Sequence, residues 1–148
     1  MFDVLSALGL LTVALPLPGR GSGCSTHCSC NWVRDPVKAK QNAAVVVDAV
    51  ALDSTPSRQA PPPGGLFRVR IIVRQVWKGS VPDTVSAYTG EPAGGCGFYF
   101  EAGHRFLLFL YRGDDGKLLA TYSSLSQPLE RADSILMRLG RPLRKGAA

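Results

Sequence analysis

Histidine is scarce in this sequence, which has only His27 and His104 among its 148 residues. Around them there is no Ser-His-Asp arrangement, no paired carboxylates and no glycine-rich phosphate loop of the kinds that carry catalysis. The sequence therefore predicts a protein that is not an enzyme. It predicts no catalytic residue, no metal ligand and no cofactor.

Long apolar runs are lacking as well. The uncharged apolar run from Val4 to Leu17 is fourteen residues long, whereas a membrane-spanning helix needs about 20. That length suits a signal-peptide core, and Gly21-Ser22-Gly23 offers the small residues that signal peptidase accepts. We therefore predict a signal peptide over 1–23 and an extracellular or cell-envelope location. The usual basic segment before the core is missing, so a buried N-terminal helix is the alternative.

Acidic residues are fewer than basic ones. The chain has 17 Lys and Arg against 11 Asp and Glu, a net charge of +6, which favours acidic partners. The hydrophobic fraction of 45% excludes a wholly disordered chain, and the length suits a single domain with a core. We expect that domain at 24–140 and a basic, flexible tail at 141–148.

Cysteine is too sparse for a cysteine-dense miniprotein. Cys24, Cys28 and Cys30 lie close together, and Cys96 lies far downstream. Cysteines of exported proteins form disulfides by default. Four cysteines allow three connectivities, and the sequence does not choose among them.

The cysteine cluster has other interpretations. The sequence before Cys24 resembles the end of a bacterial lipoprotein signal, so lipid attachment there is an alternative and would be the protein's membrane anchor. His27 with the three nearby cysteines could form a zinc or copper site, but their spacing is not a common one for structural zinc. A redox-active pair is disfavoured because the usual motif is Cys-x-x-Cys.

The rest of the chain alternates short strands with turns. Asp35 and Pro36 have the chemistry of a helix start, and that short helix ends at Asn42. Residues 129–139 have helical spacing. Strands are predicted at 43–52, 66–77, 84–89, 104–111 and 117–122. This order predicts a mainly β fold, a five-stranded OB-fold barrel with a short N-terminal helix and a C-terminal helix.

One predicted strand has a basic face. Arg68, Arg70 and Arg74 lie between apolar residues in the segment 66–77, which would suit phosphate contacts. Nucleic-acid binding also needs exposed aromatics, but Phe67 and Trp77 share the apolar parity and are expected in the core. We therefore expect no nucleic acid, and an acidic cell-surface polymer is the more sensible anionic partner.

Several short motifs occur in a familiar order. Cys28-Ser29-Cys30 precedes the short helix, and Val76-Trp77-Lys78-Gly79 ends the second strand. Thr89-Gly90 then precedes Cys96-Gly97-Phe98-Tyr99-Phe100, with Gly103 and an Asp-Asp-Gly turn further on. Over 28–129 this order resembles the netrin-like module family, and within it the bacterial proteins similar to tissue inhibitors of metalloproteinases.

The resemblance implies a fold and a disulfide. The family fold is a five-stranded OB barrel. Its first cysteine pairs with the one in the glycine-rich loop, which implies a Cys28–Cys96 bond. The second normally pairs with a cysteine in the last strand, where this chain has none. Cys30 therefore lacks its family partner, and Cys24 is an alternative one.

The resemblance also implies a partner. In the animal inhibitors, the amine and carbonyl of the N-terminal cysteine bind the zinc of a metalloprotease, and the next side chain enters its specificity pocket. Those roles would fall to Cys28 and Ser29, provided that the mature chain begins at Cys28. A signal cut after Gly23 would instead leave four residues ahead of it. The alternative function is a cell-envelope binding or structural module without inhibitory activity, held to the membrane through Cys24 or an uncleaved N-terminal segment.

Overall fold

A computed structural model describes residues 33–56, 59, 61–62, 65–92, 96–122 and 124–145. Cys24, His27, Cys28, Ser29 and Cys30 lie outside these ranges, as does the predicted signal peptide. The described elements are, in chain order, α1 (Pro36–Asn42), β1 (Val45–Ala51), β2 (Phe67–Lys78), β3 (Thr84–Thr89), β4 (Arg105–Arg112), β5 (Leu118–Leu119), β6 (Gln127–Pro128), a 3-10 turn (Leu129–Arg131), α2 (Asp133–Leu139) and β7 (Arg144–Lys145).

Five of the strands close into a barrel. β1 pairs antiparallel with β2, and β2 with β3. β3 then pairs in parallel with β5, and β5 pairs antiparallel with β4. The β1–β4 pairing completes the circle. This is the five-stranded Greek-key order of the OB-fold, so the predicted mainly β barrel with two helices is confirmed.

The barrel interior is filled by alternate residues of the strands. β1 contributes Val45, Val47 and Ala49, all essentially inaccessible to solvent. One end of the barrel is filled by three phenylalanines that meet edge to face. The ring centres of Phe98 and Phe100 lie 4.9 Å apart, and both rings contact Phe106. Such edge-to-face contacts add to the stability from apolar burial.

The alternation of β2 is interrupted by two irregularities. Val47 of β1 lies opposite Val76, whereas the preceding Val46 lies opposite Lys78, so Trp77 is skipped. A similar shift passes over Arg74. Extra residues of this kind reverse the face of the side chains that follow. Trp77 is buried as predicted, but in the second core outside the barrel rather than with Val76 inside it.

The second core lies between the barrel and the two helices. The outward face of β4 supplies Leu107 and Phe109, and the helices supply Ala39, Ile135 and Leu139. Because β4 is covered on both faces, its sequence is a nearly continuous apolar run. The predicted helix at 129–139 is present in two pieces, the 3-10 turn and α2.

The segment Trp77-Lys78-Gly79 holds the two helices against the barrel. Trp77 Nε1 donates a hydrogen bond of 2.8 Å to the carbonyl oxygen of Gly140, just after α2. Lys78 Nζ donates to the carbonyl oxygens of Lys40 and Gln41 at the end of α1, where a cation also favours the helix dipole. Gly79 follows with a positive φ, and a Cβ there would lie 2.8 Å from the Ala44 carbonyl oxygen.

Two short strands extend the sheet beyond the barrel. β6 pairs with β4, and β7 pairs with β2, so residues 144–145 of the expected tail lie against the barrel. The strand predicted at 117–122 is confined to Leu118–Leu119. In the part of the chain that the structure describes, none of the helices has the length and apolarity to span a bilayer.

Candidate functional site

The candidate site begins where the glycine-rich sequence at 90–97, which contains Cys96, meets the segment after β5. Tyr122 N–H donates a hydrogen bond of 2.8 Å to the Cys96 carbonyl oxygen, and Gly97 forms a bridge with Thr121. A Cβ on Gly97 would lie only 2.1 Å from the carbonyl oxygen of Gly90. Glycine is therefore required beside Cys96, and this close approach fixes where Cys96 lies.

Two buried threonines hold the segment that follows Cys96. Phe98 N–H donates to Thr89 Oγ1 at 2.6 Å, and Phe100 N–H donates to Thr55 Oγ1 at 2.9 Å. Both phenylalanine side chains are thereby directed into the barrel. Tyr99, between them, is 50% exposed, as expected where successive side chains alternate between core and solvent.

A groove of about 460 Å³ opens between the segments 98–101 and 124–128. Phe98 and Phe106 are buried beneath it, and Tyr122 on its rim is 63% exposed. An apolar floor with exposed aromatic side chains is the usual composition of a binding site. We call this surface the Cys96-end groove; it is lined by residues 98–99, 101, 104, 106, 122 and 124–128.

Four polar side chains that line the groove have defined partners. His104 Nδ1 lies 3.4 Å from Glu101 Oε2, and both side chains are more than half exposed. Ser124 Oγ donates to the Thr121 carbonyl oxygen at 2.7 Å, and Ser126 Oγ accepts from the Phe109 N–H at 2.8 Å. The serines therefore hold one wall of the groove against β4.

Among the predicted cysteine sites, the structure places Cys96 alone. The described residues contain no free cysteine. Cys96 is half-buried and disulfide-bonded. Its partner lies outside the described residues, so the Cys28–Cys96 pairing stays a prediction. The other cysteine predictions also fall outside the described residues. These are the roles of Cys28 and Ser29, the Cys24–Cys30 alternative and lipid on Cys24. Within the described residues, no three His, Cys, Asp or Glu side chains come together to hold a metal ion.

The predicted basic strand face lies on β2. Arg70 donates hydrogen bonds to both carboxylate oxygens of Asp53, from Nε at 3.0 Å and from Nη2 at 2.8 Å. The bond from the Arg70 side chain, followed by one from its backbone N–H, lowers the pKa of Asp53 from 3.8 to about 2. Arg68 is exposed on the same strand.

Comparison with known proteins adds no family. A scan against protein-family models finds no match to the chain, and a search of curated proteins finds none either. The class of protein defined by the described residues is therefore that of a small OB-type barrel with a groove at one end.

The sequence did not predict that these residues form one groove. The Phe-Tyr-Phe order of residues 98–100 is a usable signal for Tyr99, because two buried neighbours direct the residue between them outward. Tyr122 gives no comparable signal. It reaches the same site through the pairing of Cys96 and Gly97 with residues 121–122, a contact between distant parts of the chain.

Proposed function

We propose that the chain is an exported binding protein of the netrin-like type and that its partner is a zinc metalloendopeptidase. The partner docks on the barrel end around Cys96. The observation that carries this proposal is the disulfide of Cys96. The chain's other cysteines all fall within 24–30, so we infer that this bond attaches that segment to the Cys96 end of the barrel.

The proposed chemistry belongs to Cys28. With a Cys28–Cys96 bond, the two Cα atoms lie about 4.4–6.8 Å apart. A free amine and the carbonyl oxygen of Cys28 would bind the partner's zinc at the position where a catalytic water is otherwise activated. An amide nitrogen cannot replace the amine, because its lone pair is delocalised into the peptide bond. Inhibition therefore requires a mature chain that begins at Cys28.

The groove supplies the rest of the contact. Tyr99 and Tyr122 present exposed rings on its rim. Tyrosines of this kind are common anchors of protein interfaces, since they bury a large area and keep a polar end. The docking surface then consists of the Cys28 segment with the two rings beside it.

The experiment compares two oxidised forms of the protein, one beginning at Cys28 and one at Cys24, as inhibitors of thermolysin-type zinc proteases. We expect inhibition by the first form and a loss of about a hundredfold in the second, equivalent to about 3 kcal/mol. Tyr99→Ala should weaken inhibition by about tenfold. Met137→Ala, which truncates an exposed side chain on α2, is the matched control. Equal inhibition by the two forms, or none by either, contradicts the proposal.

A second candidate function is a cell-envelope binding module without inhibitory activity. The sequence Gly21-Ser22-Gly23-Cys24 favours it, because processing after Gly23 leaves the Cys28 amine in a peptide bond. Lipid on Cys24 would make that residue the anchor. Mass analysis of the mature protein separates this candidate from the inhibitor.

A further inference from the structure

The outer face of the barrel carries a group of cations that do not line the Cys96-end groove. Arg68 and Arg70 lie two residues apart on β2, and their neighbours on β3 are Tyr88 and Ser86. Further along, Gln75 of β2 lies opposite Lys145 of β7. The seven steps along the strand from Arg68 to Gln75 span about 23 Å at the rise of a strand. We call Arg68, Arg70, Tyr88, Lys117 and Lys145 the basic face.

The cations of this face surround an aromatic ring. Arg68 lies directly across from Tyr88 in the β2–β3 register, and Lys117 Nζ lies 5.5 Å from the centre of the Tyr88 ring. Asp53 holds the Arg70 guanidinium in place with two hydrogen bonds, and Asp115 contacts Lys117. Counting these five residues with their two carboxylate partners, four positive charges stand against two negative ones.

We propose that the basic face binds an acidic polysaccharide. A linear sugar polymer with carboxylate or sulfate groups offers negative charges at regular intervals along a chain. Arg68 and Arg70 on β2, with Lys117 beside Tyr88 and Lys145 on β7, offer the matching positive charges. The Tyr88 ring offers an apolar surface for a sugar ring between those charges. Charge-assisted hydrogen bonds from guanidinium and ammonium groups are the strong contacts for such anions.

The same observations favour a polysaccharide over a nucleic acid. Single-stranded nucleic acids bind where successive bases stack on several aromatic side chains. Within the described part of the basic face, Tyr88 is the single aromatic residue. The residues of the basic face do not line the Cys96-end groove, so the proposed protease contact and this site can fail separately.

The test measures binding of the full-length protein to polygalacturonate and to dextran sulfate by surface plasmon resonance, with neutral dextran as the blank. Arg68→Gln and Lys145→Gln each remove one charge from an exposed side chain. We expect each to weaken binding by about two- to fivefold and the double variant by about tenfold, as for exposed charge contacts. Binding should also weaken as salt rises. Arg131→Gln, on the exposed 3-10 turn, is the matched control and should change binding by less than about twofold.

Three results would overturn the proposal. If neither acidic polymer binds, the proposal is wrong. A loss with Arg131→Gln as large as with Arg68→Gln shows that overall charge, rather than this face, is responsible. Tighter binding to an oligothymidylate than to either polysaccharide, lost in the same two variants, assigns the face to nucleic acid instead.

Discussion

Asp48 and Arg105 form an ion pair across the seam that closes the barrel. The Asp48 side chain on β1 is 2% exposed, whereas that of Arg105 on β4 is 47% exposed. Arg105 Nε donates to Asp48 Oδ1 at 2.7 Å, and Nη2 donates to Oδ2. The hydrogen bond to Asp48 raises the pKa of Arg105. One half-exposed guanidinium thus compensates a buried carboxylate.

Arg105→Met should destabilise the protein strongly. The substitution keeps much of the side chain's apolar part and leaves Asp48 buried without its cation, a change that costs about 3–5 kcal/mol. Urea unfolding followed by circular dichroism measures the free energy of unfolding. Arg70→Met is the control, since its partner Asp53 is one-third exposed and such pairs contribute about 1 kcal/mol or less. Equal losses in the two variants would contradict this account.

Gly97→Ala should be destabilising and should disturb the groove. Its Cβ would lie 2.1 Å from the Gly90 carbonyl oxygen and 2.6 Å from the Glu91 carbonyl carbon, so backbone has to move. We expect a loss of about 3 kcal/mol or more in unfolding free energy. In Gly90→Ala the nearest atom is 3.9 Å away, and stability should change little. A Gly97→Ala protein as stable as the Gly90→Ala protein would show that the loop is positioned differently.

Trp77→Phe tests the attachment of the helical layer. It removes the hydrogen bond to the Gly140 carbonyl oxygen and leaves space in the second core, where Trp77 is 3% exposed. The expected cost is about 2 kcal/mol. A shift in unfolding free energy below about 0.5 kcal/mol would indicate that the ring is a surface side chain, as substitutions there usually change stability little.

The Asp53–Arg70 pair should make a small pH-dependent contribution to stability. The pKa of Asp53 is lowered in the folded state from 3.8 to about 2. Its contribution is therefore complete well above pH 3.8 and disappears as the pH falls through about 2. The stability difference between the native protein and Asp53→Asn should accordingly shrink between these values. Urea unfolding at a series of acid pH values measures it, and a difference that stays constant would contradict the lowered pKa.

The sequence predicts much of the barrel because its signals are local. Alternation in β2, the Asp35 cap of α1 and the apolar run of β4 each depend on near neighbours, and each appears in the structure. The irregularities that turn Trp77 away from the barrel interior depend on pairing with β1. No local pattern encodes that pairing.

The candidate site is harder to predict, since it joins segments that are far apart in sequence. Tyr99 and Tyr122 meet at one groove only because Gly97 can approach Gly90 and pair with Thr121. The cysteine pattern singled out Cys96, which lies at this end of the barrel. It did not indicate the aromatic rim beside it.

We propose that Cys28 carries the partner contact and is bonded to Cys96. Mass analysis of the unreduced mature protein from its native host tests it, because one digest gives both the N-terminal residue and the peptide linked to Cys96. We expect a chain that begins at Cys28 with a Cys28–Cys96 bond. A chain that begins at Cys24, lipid on Cys24, or a bond from Cys96 to Cys24 or Cys30 would contradict it.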